Sequence, residues 1–321
     1  MAKRKRRKAG EPESYILKAL PGACRDEAAA VQFLEAQRWR GKPKCPHCEG
    51  ENVYQMRDRR TGERGKRFLW RCRECGRQFT VRIGTVFEDS RIPLRHWCFA
   101  FWAACASKKG VSALQISRQC SLSYKSALFM MHRIRWAMSD DADAPRLGGT
   151  VEADETYIGG KPPKDPRKRK ARYETGRSRD KVPVMAMVSR HGRARAEVMQ
   201  RTTADELLDK IKKNVHYAAH MMTDDFPGYS RLAWSYGSSH ETVRHSAGEY
   251  SRGNAHTNTA ECFFSLVKRG IYGIFHSVSR LHLHRYMAEF CFRWDTRFMN
   301  DGRRVAELVR RAQGKRLVYR G

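Results

Sequence analysis

Hydrophobic positions along the chain switch repeatedly between helical and strand periods. From Asp26 to Arg40 (DEAAAVQFLEAQRWR) the apolar residues Ala29, Val31, Phe33, Leu34 and Trp39 recur at helical spacing and predict one helix. Residues 93–138 are predicted to be wholly helical. Pro93 opens a helix through Ala106 carrying Trp97, Phe99, Phe101 and Trp102. Val111–Gln119 and Ser123–Met138 are two more helices, joined by a turn at Cys120–Leu122. The polar stretch 139–149 (SDDADAPRLGG) reads as a linker. Beyond it strands begin. Val151–Ile158 is one, and Val182–Ser189 with Ala194–Met199 brackets Arg190–Arg193 as a hairpin. Thr203–Val215 is a helix with Thr203 as cap and Glu206 as its capping-box partner. His220–Thr223 is a strand ending at Asp224, Pro227–Tyr236 a helix, and Glu241–His245 a short strand. Thr257–Gly270 is a helix with Phe263, Phe264, Leu266 and Val267 turned inward, and His282–Phe298 is a long amphipathic helix. Strands and helices in this order predict an α/β fold built on a mixed sheet.

Between the first helix and the helical stretch lie two knuckles, Cys45-Pro-His-Cys48 and Cys72-Arg-Glu-Cys75, with 23 residues between them. Val53-Tyr54 and Phe68-Leu69-Trp70 inside that interval read as strand, turn, strand. Four thiolates satisfy a tetrahedral zinc ion, and small modules of this kind need the metal to fold. Cys45, Cys48, Cys72 and Cys75 are the expected zinc ligands, although His47 could compete. A pair of redox-active CxxC motifs would need flanking helices that the pattern lacks. The remaining thiols Cys98, Cys105, Cys120, Cys262 and Cys291 sit among apolar residues and are expected to be buried.

Charge narrows the partner. The chain has 321 residues, 64 Lys+Arg against 34 Asp+Glu, and a formal net charge of +30. Such a balance implies a polyanion, which ribosomal and nucleoid proteins also bind without chemistry. No apolar run reaches the roughly 18 residues of a membrane helix, and no secretory signal is visible, so a cytoplasmic protein is expected. Arg57, Arg59, Arg60, Arg64, Lys66, Arg67, Arg71, Arg73 and Arg77 make the ribbon basic, as expected for a DNA grip. The two helices around Cys120–Leu122 fit a helix-turn-helix, with Ser121, Ser123, Tyr124, Lys125 and Ser126 where base contacts fall; a plain helical hairpin is the bland alternative. Residues 161–181 hold ten Lys/Arg, Arg169 among them, against three acids, and read as a mobile loop on phosphates. The expected organisation is a basic disordered tail (1–25), helix plus zinc ribbon (26–92), helix-turn-helix-like region (93–140), catalytic domain (148–300) and basic C-terminal tail (301–321).

Carboxylates inside the apolar strands carry the chemistry. In VEADETY, Glu152 and Asp154 share one face of the strand and Glu155 takes the other. Buried carboxylates are costly without a cation or a hydrogen-bond network. Asp224 (HMMTDDFPGY) and Glu261 (HTNTAECFFSLVKRG) are the other acids that could share a cation. Oxygen donors of this kind suit magnesium or manganese. Asp225 beside Asp224, and Glu152 beside Asp154, remain alternatives. His240, His245 and His256 read as structural or phosphate-contacting.

The order of these acids on strand, strand and helix resembles the RNase H-like fold of DDE transposases. GTVEADETYIGG, TDDFPGY and HTNTAECFFSLVKRGIYG look like the three catalytic blocks of bacterial insertion-sequence transposases that carry an N-terminal zinc ribbon. The resemblance implies Asp154, Asp224 and Glu261 as catalytic, metal-holding residues, with two Mg2+ (or Mn2+) ions about 3.5–4 Å apart. It also implies Lys268, two helical turns after Glu261, as a DNA contact; Asn258, three residues before Glu261, shares that face and is expected to contact DNA, with a place as third ligand its alternative. The expected activity is metal-dependent cleavage at element ends and strand transfer into target DNA, by a homodimer or larger assembly on terminal inverted repeats. Two alternatives stand beside it: a non-catalytic or domesticated DNA-binding regulator, and an RNase H-like nuclease that does not join strands.

Overall fold

The computed structural model describes residues 15–141, 143–159, 181–236, 239–244, 247–249 and 251–317. They fall into two units. One comprises the described residues within Met1–Ala106, Ile116–Ala137 and Met299–Gly321; the other comprises those within Ser107–Gln115 and Met138–Phe298. No helix among the described residues is long and apolar enough to cross a membrane.

In the first unit, helices α1 (Tyr15–Arg25), α2 (Glu27–Trp39) and α3 (Leu94–Ala106) pack together. Asp26 starts α2 by accepting the Ala29 amide at 2.7 Å. The next residue, Glu27, starts a different helix: its carboxylate accepts the first amides of α3, Leu94 at 2.8 Å and Arg95 at 3.1 Å. Phe87, Trp97 and Phe101 meet edge to face beneath α3. The ribbon is a three-stranded antiparallel sheet, β1 (Val53–Gln55), β2 (Trp70–Cys72) and β3 (Gln78–Phe79). Trp39 at the end of α2 stands edge-on to Trp70 and Phe79, at 5.4 and 6.0 Å. Helices α4 (Ala113–Gln119) and α5 (Tyr124–Met138) follow the expected pair closely. Their turn needs a left-handed residue, Ser121 at φ 52°, and Ser123 caps α5 by accepting the Ser126 amide.

Described parts of both expected tails are folded. Residues 15–25, placed in a disordered tail by their neighbours' charge, form α1, with Leu20 and Ala23 buried. The C-terminal segment 301–321 was expected to be a basic tail. It instead contains a helix, Asp301–Arg311, whose Val305, Leu308 and Val309 are buried and whose N-terminus Asn300 caps by accepting the Arg303 amide at 2.8 Å. Its four arginines, of which Arg303 and Arg310 are exposed while Arg304 and Arg311 are largely covered, are why composition alone read it as tail.

The second unit is built on a five-stranded sheet in the order β6-β5-β4-β7-β8: β4 (Thr150–Ile158), β5 (Val182–Ser189), β6 (Ala194–Val198), β7 (His220–Asp224) and β8 (His240–Val243). β4, β5 and β6 are antiparallel neighbours, while β7 and β8 run parallel to β4. This is the RNase H-like mixed sheet. Both faces are covered. Val151, Ala153, Met185 and Met187 pack on α6 (Ala204–Asn214) and α7 (Leu232–Tyr236). Ile158, Val184, Ala186 and Val188 pack on α8 (Asn258–Gly270) and α9 (Leu283–Asp295). Helices α8 and α9 approach closely because Gly270 lacks a side chain; a Cβ there would lie 2.3 Å from the Phe290 ring. Thr203 caps α6 as expected. Glu206, however, turns to the amides of Gln200 and Arg201 rather than closing the box on Thr203.

Candidate active site

Two metal-type centres can be built from these elements, one in each unit. In the ribbon, Cys45 and Cys48 precede β1, Cys72 ends β2 and Cys75 lies in the turn after it. Their sulfurs all lie within 4.8 Å of one another, with Cys45–Cys75 and Cys48–Cys72 at 3.6 Å. A tetrahedron of thiolates about 2.3 Å from zinc has sulfur–sulfur edges of about 3.8 Å, so the donor set fits zinc. Burial opposes the Cys45 thiolate, but hydrogen bonds from the His47 and Cys48 amides outweigh it and hold its pKa below the ordinary thiol value. His47 contributes this amide, at 3.4 Å, while the four-sulfur set leaves its ring no place.

The ribbon's arginines divide by role. Arg64 is largely buried and grips Glu35 of α2 with both terminal nitrogens, at 3.0 and 2.9 Å, while Trp70 donates to the same carboxylate at 2.7 Å. Arg64 therefore fastens the ribbon to α2 and is not a surface grip. Arg57, Arg59, Arg60, Lys66, Arg67, Arg71, Arg73 and Arg77 are exposed. Lys125 is exposed at the second position of α5, and Tyr124 beside it is 54% exposed. Arg169, with nearly all of the basic segment 161–181, lies outside the described residues, as does His245.

The acids of the second unit are placed by strand register. Thr150, Val151 and Glu152 of β4 pair in parallel with His220, Met221 and Met222 of β7, a constant offset of 70. Carried two residues further, that register sets Asp154 level with Asp224 on neighbouring strands, side chains on the same face. Glu261 stands on the first turn of α8, the helix covering that face. Asp154, Glu155 and Thr156 of β4 and Glu261, Phe264, Ser265, Lys268 and Arg269 of α8 line one cavity of about 460 Å³. Burial, then the charges of Glu155, Asp154 and Asp224, hold the Tyr229 hydroxyl well above the usual phenol pKa. Asp154 and Asp224 thus act on one side chain. The donor set is all oxygen, which fits a hard divalent cation. It is looser than the thiolate set: among the described residues only the four cysteines bring three or more such donors within 4.8 Å of one another. Asn258 is exposed at the first position of α8, and Asp225 is exposed beside Asp224.

Glu152 is neither solvated nor turned to the cavity. It is fully buried. Its oxygens accept Arg190 Nε at 2.6 Å, the Thr259 amide at 2.6 Å, the Thr259 hydroxyl at 2.8 Å and the Ala260 amide at 3.1 Å. His256 Nδ1 lies 3.2 Å away. On the opposite face of β4, Glu155 accepts the hydroxyl of buried Tyr229. The sequence pointed to neither partner. Arg190 read as a hairpin turn and Tyr229 as an ordinary helix residue. One thiol also departs from expectation: Cys262 is exposed, because Ala260, Phe263, Phe264 and Val267 take the inner side of α8 and rotate it outward.

Comparison with known proteins agrees with this architecture. Residues 146–295 match the ISXO2-like transposase domain, and residues 25–78 match a transposase zinc-ribbon domain. The first match contains Asp154, Asp224, Glu261 and Lys268; the second contains all four ribbon cysteines. A protein described as an uncharacterized protein in transposable element ISH50 of Halobacterium salinarum is 29% identical over 296 residues, covering 88% of this chain and 95% of its own length. The chain thus carries sequences matching both parts, DDE-type domain and zinc ribbon, of insertion-sequence transposases.

Proposed function

We propose that this transposase cuts DNA at the ends of its element and joins the freed strand to target DNA, with Asp154, Asp224 and Glu261 as the residues that hold divalent metal. The observation that supports this reading is the cavity that Asp154 shares with Glu261 and Lys268, together with the parallel pairing of Glu152 with Met222, which extended by two residues brings Asp154 level with Asp224. In open α/β sheets, ligands bind beyond the carboxyl ends of parallel strands, where Asp224 ends β7. Mg2+ or Mn2+ bound there would lower the pKa of an attacking water and stabilise the leaving oxygen.

The side chains divide the remaining work. Lys268 and Arg269 bring positive charge to the cavity that Asp154 and Glu261 line, where a scissile phosphate has to sit. Asn258 and Lys268 contact DNA near the cut, and the 3′-hydroxyl released there attacks the target phosphodiester. No covalent link between protein and DNA is required, so no nucleophilic Ser or Tyr is assigned. The exposed arginines of the ribbon, Lys125 at the head of α5, and Arg169 take the terminal repeats and flanking phosphates. Two ends have to be held together, so the working form is a homodimer or larger on DNA, at the bacterial nucleoid.

The test is incubation of full-length protein with a labelled element end, a target duplex and Mn2+. Wild type yields nicked ends and then joined products. Asp154→Asn retains end binding in a gel-shift assay and gives no detectable cut. Full cleavage by that variant removes Asp154 from the reaction, and cutting without joined products makes the protein a nuclease instead.

A further inference from the structure

We infer that the two glutamates flanking Asp154 are positioning residues: Glu152 fixes the helix that bears Glu261, and Glu155 fixes the turn that follows Asp224. The inference rests on the strand-cleavage reading for the roles of the three acids themselves.

Glu152 has no capacity left for a cation. A carboxylate offers about four lone-pair sites. Here one oxygen takes the Arg190 Nε and the Thr259 hydroxyl, and the other takes the Thr259 and Ala260 amides. Those two amides are among the orphan donors at the N-terminus of α8, where the helix dipole also favours a negative charge. Thr257, at the N-cap position, makes no side-chain cap of its own. The cap of α8 is therefore supplied by a neighbouring strand. Arg190 donates to Glu152 and also to the His256 carbonyl at 3.0 Å, so the approach to the helix is tied to the same point.

Geometry makes this cap relevant to the reaction. Glu152 and Asp154 are two residues apart on one face of β4, roughly 7 Å along the strand. Thr259 and Glu261 are two residues apart at the start of α8. Docking the Thr259 and Ala260 amides on Glu152 sets how far along β4 the helix begins, and hence where Glu261 stands against Asp154. Strand alternation sends Glu155 to the other face, where it receives the Tyr229 hydroxyl. Tyr229 closes the 3-10 turn Pro227–Tyr229 that follows β7, and the Phe226 amide donates to Asp224 at 3.2 Å. One strand segment, EADE, thus carries a metal-holding acid and two staples for the segments bearing the other two.

The test uses full-length, zinc-loaded Glu152→Gln and Tyr229→Phe. Gln keeps the shape and one acceptor oxygen of Glu152 but loses its charge; Phe keeps the Tyr229 ring and loses the hydroxyl. Three measurements are made: amide exchange at Thr259 and Ala260, Mn2+ affinity by paramagnetic resonance, and cleavage rate against Mn2+ concentration. Both variants retain the wild-type far-UV circular dichroism. In Glu152→Gln the two amides exchange at least about tenfold faster, the exchange being local opening of the first turn. Mn2+ binding weakens about 10–100-fold in each variant, the usual effect of removing a support behind a metal ligand. Cleavage recovers toward the wild-type rate at saturating Mn2+. Unchanged Mn2+ affinity in the folded variants overturns the inference, even if their melting temperatures fall, because the glutamates would then serve stability alone. Where Glu152→Gln does not fold, Tyr229→Phe decides by the same affinity. A wild-type protein that binds Mn2+ but leaves DNA uncut defeats the cleavage reading, while the staples still stand or fall on Mn2+ affinity.

Discussion

The thiolate centre of the ribbon and the carboxylate centre of the sheet differ in how much of each the protein supplies. Four sulfurs from two knuckles 23 residues apart are gathered within 4.8 Å. The three acids come from β4, β7 and α8, and stay farther apart. A structural zinc site is closed, whereas magnesium keeps waters and is held by one or two carboxylates together with substrate phosphates. The sheet therefore needs only to bring its acids to one end and leave room beside Lys268. Glu152, tied to Thr259 and Ala260, and Glu155, tied to Tyr229, are the supports proposed for that arrangement, as Glu35 steadies the ribbon from outside its ligand set.

Removing zinc gives the largest expected effect. Structural zinc contributes about 10–16 kcal/mol of apparent binding energy in small modules, which is folding energy for the ribbon. A thiol-competent chelator unfolds β1–β3, reported by the fluorescence of Trp39 and Trp70 and by loss of amide protection there. Strands β4 and β5 keep theirs. Protected ribbon amides after full zinc removal would break the comparison, since the ribbon would then stand without its metal.

A smaller change separates the metal from its support. Glu35→Ala leaves the Arg64 guanidinium and the Trp70 indole without their shared acceptor in a largely buried place. Removing one partner of such a pair costs about 3–5 kcal/mol. The ribbon's urea transition moves by that amount while zinc stoichiometry stays at one. A loss of zinc in the native state would mean that Glu35 shapes the ligand set itself.

How far the chain could be read follows the same division. The ribbon was legible because its four ligands are one residue type at short spacing, and strand and helix periods marked the sheet. Glu152 shows where reading stops. Its place on Asp154's face followed from alternation, but its partners required the β4–β7 register and the landing point of α8, and neither leaves a local trace. Pro21 and Gly22 hid α1, since a proline removes a helical hydrogen bond. Charge hid the last helix, although Val305, Leu308 and Val309 have helical spacing. Arg64 was counted as a grip because composition cannot tell which arginine of a basic module turns inward.

Acid gives the smallest effect, expected in the sheet at His240. His240 on β8 meets the Thr223 hydroxyl at 2.9 Å, one residue before Asp224; its neighbour His220 is engaged with Glu241 at 2.7 Å. Burial first, then the nearby His220, lowers the His240 pKa below the ordinary histidine value. With the folded pKa depressed, the unfolded chain binds more protons at pH values between the two. The neutral ring's contribution is thus fully present above about 6.5, the unfolded value, and is lost as the pH falls below it. The sheet's melting temperature should decline from pH 7 toward 5.5, and His240→Gln should flatten that decline without altering the chelator response of the ribbon. An equal slope in the variant would move the acid sensitivity to another group and leave the β7–β8 pair behind Asp224 indifferent to protons.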